Sequence, residues 1–376
     1  MNNNFKKIIE TKLSSDVLNL ISELNFCAQK LNLRLYFVGG IVRDLIMGVD
    51  VSDIDILVEG SAIEFCSSCD ICQILSIHKD FGTVKCKVRG YDIDFASTRC
   101  ESYPQSGCLP EVNQIGVSLD EDVKRRDFTV NAIALSLDNF ELIDYFCGMS
   151  DIQNKTLKIL HKDSFIDDPT RILRGLDFSI RFGFGFDKIT KSALDSYLEQ
   201  APRLREGLSL SRVELTLDKV LSNNDVAYNK IIENKYYKIF RDDVPSISSA
   251  KILDASNIFS QPFSHIAKFI LLNSFSVPEA DFKSDYDIYL FFKKYSDFEL
   301  TLFYAFDVYS NQVLKYYSDL KDIALNLSGA DLITLGFEQG KRIGEILDKL
   351  LEYRINSKNI LTKDEEIAFV IDNFKK

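Results

Sequence analysis

Asp53 and Asp55 stand one residue apart in the apolar run "DIDILV", and Gly39-Gly40, then Arg43-Asp44, lie just upstream in "YFVGGIVRD". On a strand, residues i and i+2 project from one face, so both carboxylates point the same way while Ile54 and Ile56 bury on the other. Carboxylates that close repel unless a cation lies between them. Hard oxygen ligands suit Mg²⁺, which also takes oxygens from phosphates. Two such ions about 4 Å apart can activate an attacking hydroxyl and stabilise a leaving oxygen. The glycine pair ends the preceding strand, where small residues let backbone N–H groups approach a phosphate. A helix starting near Ile41 turns its positive end to the same place, and Arg43 in its first turn is a candidate phosphate contact.

Further groups are spaced for recognition. Ser118-x-x-Glu121 reads as a capping box opening a helix, on which Arg125, Arg126 and Asp127 offer charge and Asn131 follows Asp127 by one turn. Asp168 precedes Pro169, a residue favoured at the first helical position, so Asp168 reads as an N-cap. Asp94 lies beside Asp92 on the strand "YDIDFA" and is either a third site carboxylate or a solvated strand residue. Cys66, Cys69 and Cys72 in "CSSCDIC" lack a fourth ligand at a zinc-like spacing and read as buried thiols.

These groups need a mixed scaffold. Helical periodicity covers about Ile8–Leu31. Short β-rich runs follow at Leu33–Val38, Asp53–Val58, Gly82–Val88 and Tyr91–Ala96, the last two joined by an Arg89-Gly90 turn. Ile133–Asp144 reads as a second hairpin turning at Asp138-Asn139, and Thr98–Val112, with its Pro, Gly and Ser, reads as a loop. From Ser164 onward nearly all the signal is helical. The expected architecture is an α+β head over 1–150, a helical neck over 151–225 and a helical body and tail over 226–376. A stripe of Phe and Tyr in the body at helical spacing reads as core rather than as a base-stacking platform. The net charge of −11 argues mildly against a nucleic-acid partner, although a local basic stripe can sit on an acidic protein. No run reaches the ~18 apolar residues of a membrane span. No signal peptide is visible ahead of the eight cysteines, which implies reduced thiols and a cytoplasmic location. Three histidines and no adjacent His-Asp pair argue against a histidine-based metallohydrolase.

The segment "VGGIVRDLIMGVDVSDIDILVEG" resembles the first motif of the class II tRNA nucleotidyltransferase and bacterial poly(A) polymerase family, within the polymerase β superfamily. "DEDVKRRDFTVNAIAL", "LIDYFCGMSDIQNKTLKIL", "DDPTRILR" and "LSLSRVELTLDKVL" are similar to its later motifs, in the same order. The resemblance implies a polymerase β-like head with a small mixed sheet, followed by an all-α neck, body and tail. It implies template-independent addition of CMP and AMP, from CTP and ATP, to the 3′ end of tRNA. The alternatives are CC-only or A-only addition, poly(A) synthesis, or an inactive RNA-binding relative. Asp53 and Asp55, with Asp94 as a further candidate, would hold Mg²⁺. Gly39, Gly40, Arg43, Arg126 and Asn131 would bind the nucleotide, and Asp127 would meet the ribose. Asp168 and Arg171, within a motif that ends at Arg174, would read the base, braced by Arg212 and Glu214. The Thr98–Val112 loop matches the family's flexible loop. Asp177 departs from the pattern, since relatives more often carry Arg there. The tail "LSGADLITLGFEQGKRIGEIL" resembles the family's tRNA-gripping segment, with Lys341 and Arg342 at a helix start, but Gln339 and Lys341 stand where proline is usual. No basic tail of the poly(A) polymerase kind is present, which favours tRNA. Nothing in the sequence decides between monomer and dimer.

Overall fold

The computed structural model describes residues 9, 11–50, 54–357 and 361–375, so Asp53 lies outside the described residues. The chain forms two compact units, residues 1–244 and 245–376; the head and the neck share the first, and the division falls beyond the expected boundary at 225.

The first unit opens with α1 (Ser15–Lys30), whose Ser14 accepts a hydrogen bond from the Val17 N–H at 3.3 Å. Residues 11 and 12 are helical too, so the cap at Ser14 divides the expected helical stretch into two. The sheet elements follow as β1 (Arg34–Val38), α2 (Gly40–Met47), β2 (Ile54–Glu59), α3 (Ala62–Ser68), β3 (Gln73–His78), β4 (Thr83–Val88) and β5 (Tyr91–Ser97). A ribbon of β6 (Arg99–Ser102) and β7 (Glu111–Ile115) leads to α4 (Leu119–Lys124), β8 (Ala134–Ser136) and β9 (Leu142–Ile143). The main sheet runs β3-β4-β5-β2-β1-β8-β9, antiparallel except for the parallel β2·β5 pair. Arg89 and Gly90 both take positive φ, 52° and 93°, as a tight β4–β5 turn requires.

Register assigns the two sheet faces. Phe37, Ile56, Phe95 and Val84 align across four strands and bury on one face. There α3 packs with Phe65 against Phe95, ring centroids 5.5 Å apart. Asp55, Asp94, Lys85 and Ser76 align across the other. On that second face Tyr36, Val38 and Leu57 pack beneath Leu119 and Val123 of α4.

The neck continues the unit as α5 (Gly148–Gln153), β10 (Thr156–Leu157), α6 (Ser164–Asp167), α7 (Thr170–Phe182), β11 (Gly185–Phe186), α8 (Lys188–Leu204), α9 (Leu210–Leu221) and α10 (Asn224–Glu233). A Cβ on Gly148 would lie 2.2 Å from the Thr129 carbonyl oxygen, so only glycine lets α5 approach the head this closely.

Three expectations are corrected. Thr98–Val112 is a loop over 103–110 as expected, but it is flanked by the short strands β6 and β7, whose residues are mostly half-exposed or exposed and so carry no buried alternation. β3 is an edge strand with Ile74, Leu75 and Ile77 exposed, which hides the period-2 signal. The helix begun at Ser118 stops at Lys124, and the Ser118 hydroxyl donates to Asp120 at 2.6 Å instead of accepting from the backbone. Asn131 reaches Asp127 nonetheless, from a single 3₁₀ turn.

The second unit holds α11 (Ser249–Phe259), α12 (Phe263–Leu272), α13 (Asp285–Phe292), α14 (Asp297–Ala305), α15 (Ser310–Lys315) continued by a π turn, α16 (Gly329–Thr334), α17 (Lys341–Ser357) and α18 (Lys363–Phe374). Capping boxes at Ser296/Glu299, Ser328/Asp331 and Thr362/Glu365 start α14, α16 and α18. The aromatic stripe is core, with Phe292 fully buried amid Phe282, Phe291, Phe303 and Tyr316. No described helix is long and apolar enough to cross a membrane.

Candidate active site

Asp55 and Asp94 are Cα partners in the parallel β2·β5 register, and both are exposed on the open sheet face. Neighbouring strands lie about 4.8 Å apart, so the two carboxylates stand side by side. The paired position of Asp94 across β4 is Lys85. These residues, with His78 and Arg126, line a cleft of about 370 Å³. An exposed carboxylate pair open to such a cleft fits a hard divalent cation that shares phosphate oxygens.

Arg126 sits where the glycine turn leaves room for it. Gly39 has φ +80°, and a Cβ there would lie 3.2 Å from the Arg126 Nη1. Asp122, fully buried, accepts from Arg126 Nη2 at 3.0 Å, from Arg125 Nη2 at 2.7 Å and from the Arg99 N–H at 3.1 Å. Burial would raise the Asp122 carboxyl, but the two guanidiniums overcome it and hold it below the usual range. The Arg126 Nε is buried without a protein partner. An unmet buried donor costs about 1–3 kcal/mol.

Beside this cluster, a chain of ion pairs links head to neck. Asp127 accepts from Asn131 Nδ2 at 2.9 Å, from the Phe128 N–H at 2.8 Å and from Arg174 Nε at 3.2 Å. Burial pushes its carboxyl up, and Arg174 and Asn131 bring it below the ordinary value. Asp168, 2% exposed, divides its oxygens between two tasks. Oδ1 caps α7 by accepting from the Thr170 N–H at 3.0 Å and its hydroxyl at 2.6 Å. Oδ2 meets Arg212 at 2.5 Å and Arg174 at 3.4 Å. Arg171, equally buried, donates to Ser164 Oγ at 2.6 Å and to the Arg125 carbonyl at 2.8 Å. The β6–β7 ribbon reaches the same network: Tyr103 OH lies 3.5 Å from Arg171 Nη2, and the Cys108 carbonyl accepts from Arg212 at 3.2 Å.

Several sequence-derived assignments change character here. Arg43 is buried rather than turned to the cleft: it donates to Asn131 Oδ1 at 2.8 Å and Asp44 at 2.7 Å, between the rings of Phe178 and Phe182, each 4.9 Å away. Arg212 reaches Asp168, whereas Glu214 is exposed and does not brace it. Asp177 pairs with Arg181 at 3.1 Å and accepts from Asn223. In the second unit α17 begins at Lys341, whose side chain is 94% exposed, while Arg342 donates to the Phe374 carbonyl at 3.4 Å. Arg342 also shares a groove with Glu345, Asp348 and Glu352, an acidic setting for a phosphate contact.

Asp122, Glu101, Lys85 and Tyr103 escaped the sequence reading. Asp122 stands among three acidic residues of a first helical turn, a composition that reads as solvated; only the tertiary contact with Arg99 distinguishes it. Lys85 is legible once β4 is registered against "YDIDFA", because it then falls opposite Asp94.

Residues 35–158 match the family described as Poly A polymerase head domain. The chain is 40% identical over 195 residues to the A-adding tRNA nucleotidyltransferase of Aquifex aeolicus, covering 49% of this chain and 23% of that protein. It is 31% identical, in an alignment of 414 residues, to the A-adding tRNA nucleotidyltransferase of Geobacter sulfurreducens, covering 94% of this chain and 46% of that protein. The chain thus spans under half the length of these relatives. It shares its fold with the Thermotoga maritima CCA-adding enzyme complexed with tRNA, at a TM-score of 0.73 and 23% identity over 98% of each chain. Residues 35–158 are thus similar to the poly A polymerase head domain, on a chain that shares its fold with a CCA-adding enzyme.

Proposed function

We propose that this protein adds CMP and AMP from CTP and ATP to the 3′ end of tRNA without a nucleic-acid template, in the cytoplasm. The observation that carries the proposal is the cleft that the in-register Asp55–Asp94 pair and Arg126 line together. In the reaction the tRNA 3′-oxygen attacks the nucleotide α-phosphorus, the bond to the bridging oxygen breaks, and pyrophosphate leaves. Asp55 and Asp94, with Asp53, are the residues that would hold Mg²⁺, which would offset phosphate charge and acidify the attacking hydroxyl. Arg126 and the backbone at Gly39-Gly40 would orient the triphosphate, and Asp127 would accept from the ribose 2′-hydroxyl. Arg43, Asn131, Arg174 and Arg212 position these groups from behind. Asp168 and Arg171 would read the base, which requires Asp168 Oδ2 and the Arg171 fork to exchange their present partners for the nucleotide. Lys341 and Arg342 are offered to the tRNA backbone.

A narrower reading, A-only addition, is favoured by the names of both relatives. The deciding experiment presents tRNA lacking the CCA end, tRNA lacking the final A, and complete tRNA, each with the four labelled nucleotides in turn. The proposal expects CMP and AMP on the first substrate and AMP on the second. Incorporation confined to the second substrate establishes the A-only enzyme. Binding of tRNA with no incorporation anywhere leaves an inactive RNA-binding relative and overturns both readings.

A further inference from the structure

Five of the eight cysteines meet on the sheet face opposite the carboxylate cleft. Cys66 lies on α3, Cys69 and Cys72 in the turn that follows it, and Cys86 on β4. The sulfurs of Cys66, Cys72 and Cys86 all lie within 4.8 Å of one another. Cys69, buried in that turn, falls outside this group, and Cys27 on α1 is the other candidate thiol. The sequence showed three thiols at short spacing and no fourth; the β3–β4 hairpin brings in Cys86 from beyond the edge strand.

We propose that Cys66, Cys69, Cys72 and Cys86 form a structural zinc site. Sulfurs bound at about 2.3 Å around a tetrahedral ion lie roughly 3.8 Å apart, a modest contraction for Cys66, Cys72 and Cys86, with Cys69 drawn in to complete the set. Four soft sulfur donors select zinc over the hard cation suited to the carboxylates across the sheet. Electrostatics runs parallel on the two faces, since neighbouring thiolates repel as neighbouring carboxylates do. Zinc binding would release the four S–H protons to solvent and leave the sulfurs as ligands. Cys69, Cys66 and Cys86 are buried and Cys72 is half-buried, so an ion would enter from the Cys72 side and be enclosed, as in structural rather than catalytic sites. The ion would tie the turn after α3 to β4. Cys86 directly follows Lys85, the cross-strand partner of Asp94, so the clamp would stiffen the strand beneath the cleft.

The test measures zinc in the untagged full chain, purified under reducing conditions, and replaces it with cobalt. The proposal expects one zinc per chain, a cobalt form with thiolate charge-transfer and tetrahedral absorption, and a melting temperature lowered by a strong chelator and restored by zinc. Cys72→Ser and Cys86→Ser should lose the metal, while Cys100→Ser and Cys147→Ser should keep it. Because a core variant can fail to fold, the wild-type cobalt spectrum and chelator melt stand as independent readouts. A metal-free chain indifferent to chelator and zinc, an iron cluster, or a disulfide among these residues overturns the proposal. Loss of zinc in Cys27→Ser with retention in Cys69→Ser overturns the assignment of Cys69.

Discussion

The two units solve the problem of a buried core in opposite ways. The second unit fills its interior with rings and seals it with helix caps, and the one deeply buried acid among its described residues, Glu366, is paired with Arg354 and the Asn326 and Leu327 N–H groups. The first unit buries Asp122, Asp127 and Asp168 side by side with arginines at the junction of head and neck. Buried ion pairs contribute little net stability over apolar packing of the same volume. A unit that concentrates them around a cleft is spending stability on chemistry, whereas the isolated pair in the helical unit does structural service.

The sharpest way to break that contrast is Asp55→Ala. Asp55 is exposed, so the fold should persist while incorporation falls by several kcal/mol, on the order of 10³-fold. Labelled-nucleotide incorporation beside a thermal melt checks this, and near-normal turnover removes Asp55 from the chemistry. Next comes a matched pair, Arg174→Met and Arg354→Met. Each strips a guanidinium from a buried carboxylate, a lesion of about 3–5 kcal/mol in stability. Only Arg174→Met should also change the relative use of the four nucleotides; equal selectivity profiles for the two variants would erase the distinction between the units.

Asp168→Asn is a finer probe. It keeps the cap at Oδ1 but turns a donor amide toward Arg174 and Arg212, so stability should fall by about 1.5–3 kcal/mol. If Asp168 reads the base, discrimination against UTP and GTP should also relax by roughly 10- to 100-fold, the worth of a bidentate-type contact. Wild-type discrimination in the folded variant would confine Asp168 to capping. The smallest effect is in pH. Asp122, Asp127 and Asp168 all titrate below their ordinary value in the folded chain. Their contribution is therefore fully present above the unfolded value of about 3.9 and disappears as pH falls through the lower folded values. Melting temperature of the first unit should not decline on this account until below about pH 4; a decline already between pH 6 and 5 would contradict the pairing.

Short β-rich runs made β1, β2, β4 and β5 legible, with clean alternation in β4 and β5, and the glycine turn and Asp55 came with them. The same rule failed at β3, where apolar residues face solvent at a sheet edge, and at the ribbon, where no face is buried. At the site, the residue types were readable but their partners were not. Asp168 offered two readings, as cap and as recognition group, and the structure satisfies the cap with one oxygen while the other faces two arginines. Arg43 looked like a phosphate ligand because it follows the glycines, yet the rings of Phe178 and Phe182, more than a hundred residues later, draw it inward. Such contacts between distant segments leave no local pattern.

The Arg171 fork is anchored to the carbonyl of Arg125, a main-chain group. Every amino acid supplies that carbonyl, so a scan of side chains across 125 will register the loss of ion pairs to Asp122 and Glu101 but never the loss of this tether. A backbone ester installed between residues 125 and 126 weakens the carbonyl as an acceptor and leaves both side chains in place. It also removes the Arg126 N–H that donates to the Val123 carbonyl at 3.3 Å, so an ester at 126 must be read beside one that deletes an N–H elsewhere in α4; if Arg171 reads the base, the peptide bond itself becomes a determinant of nucleotide choice.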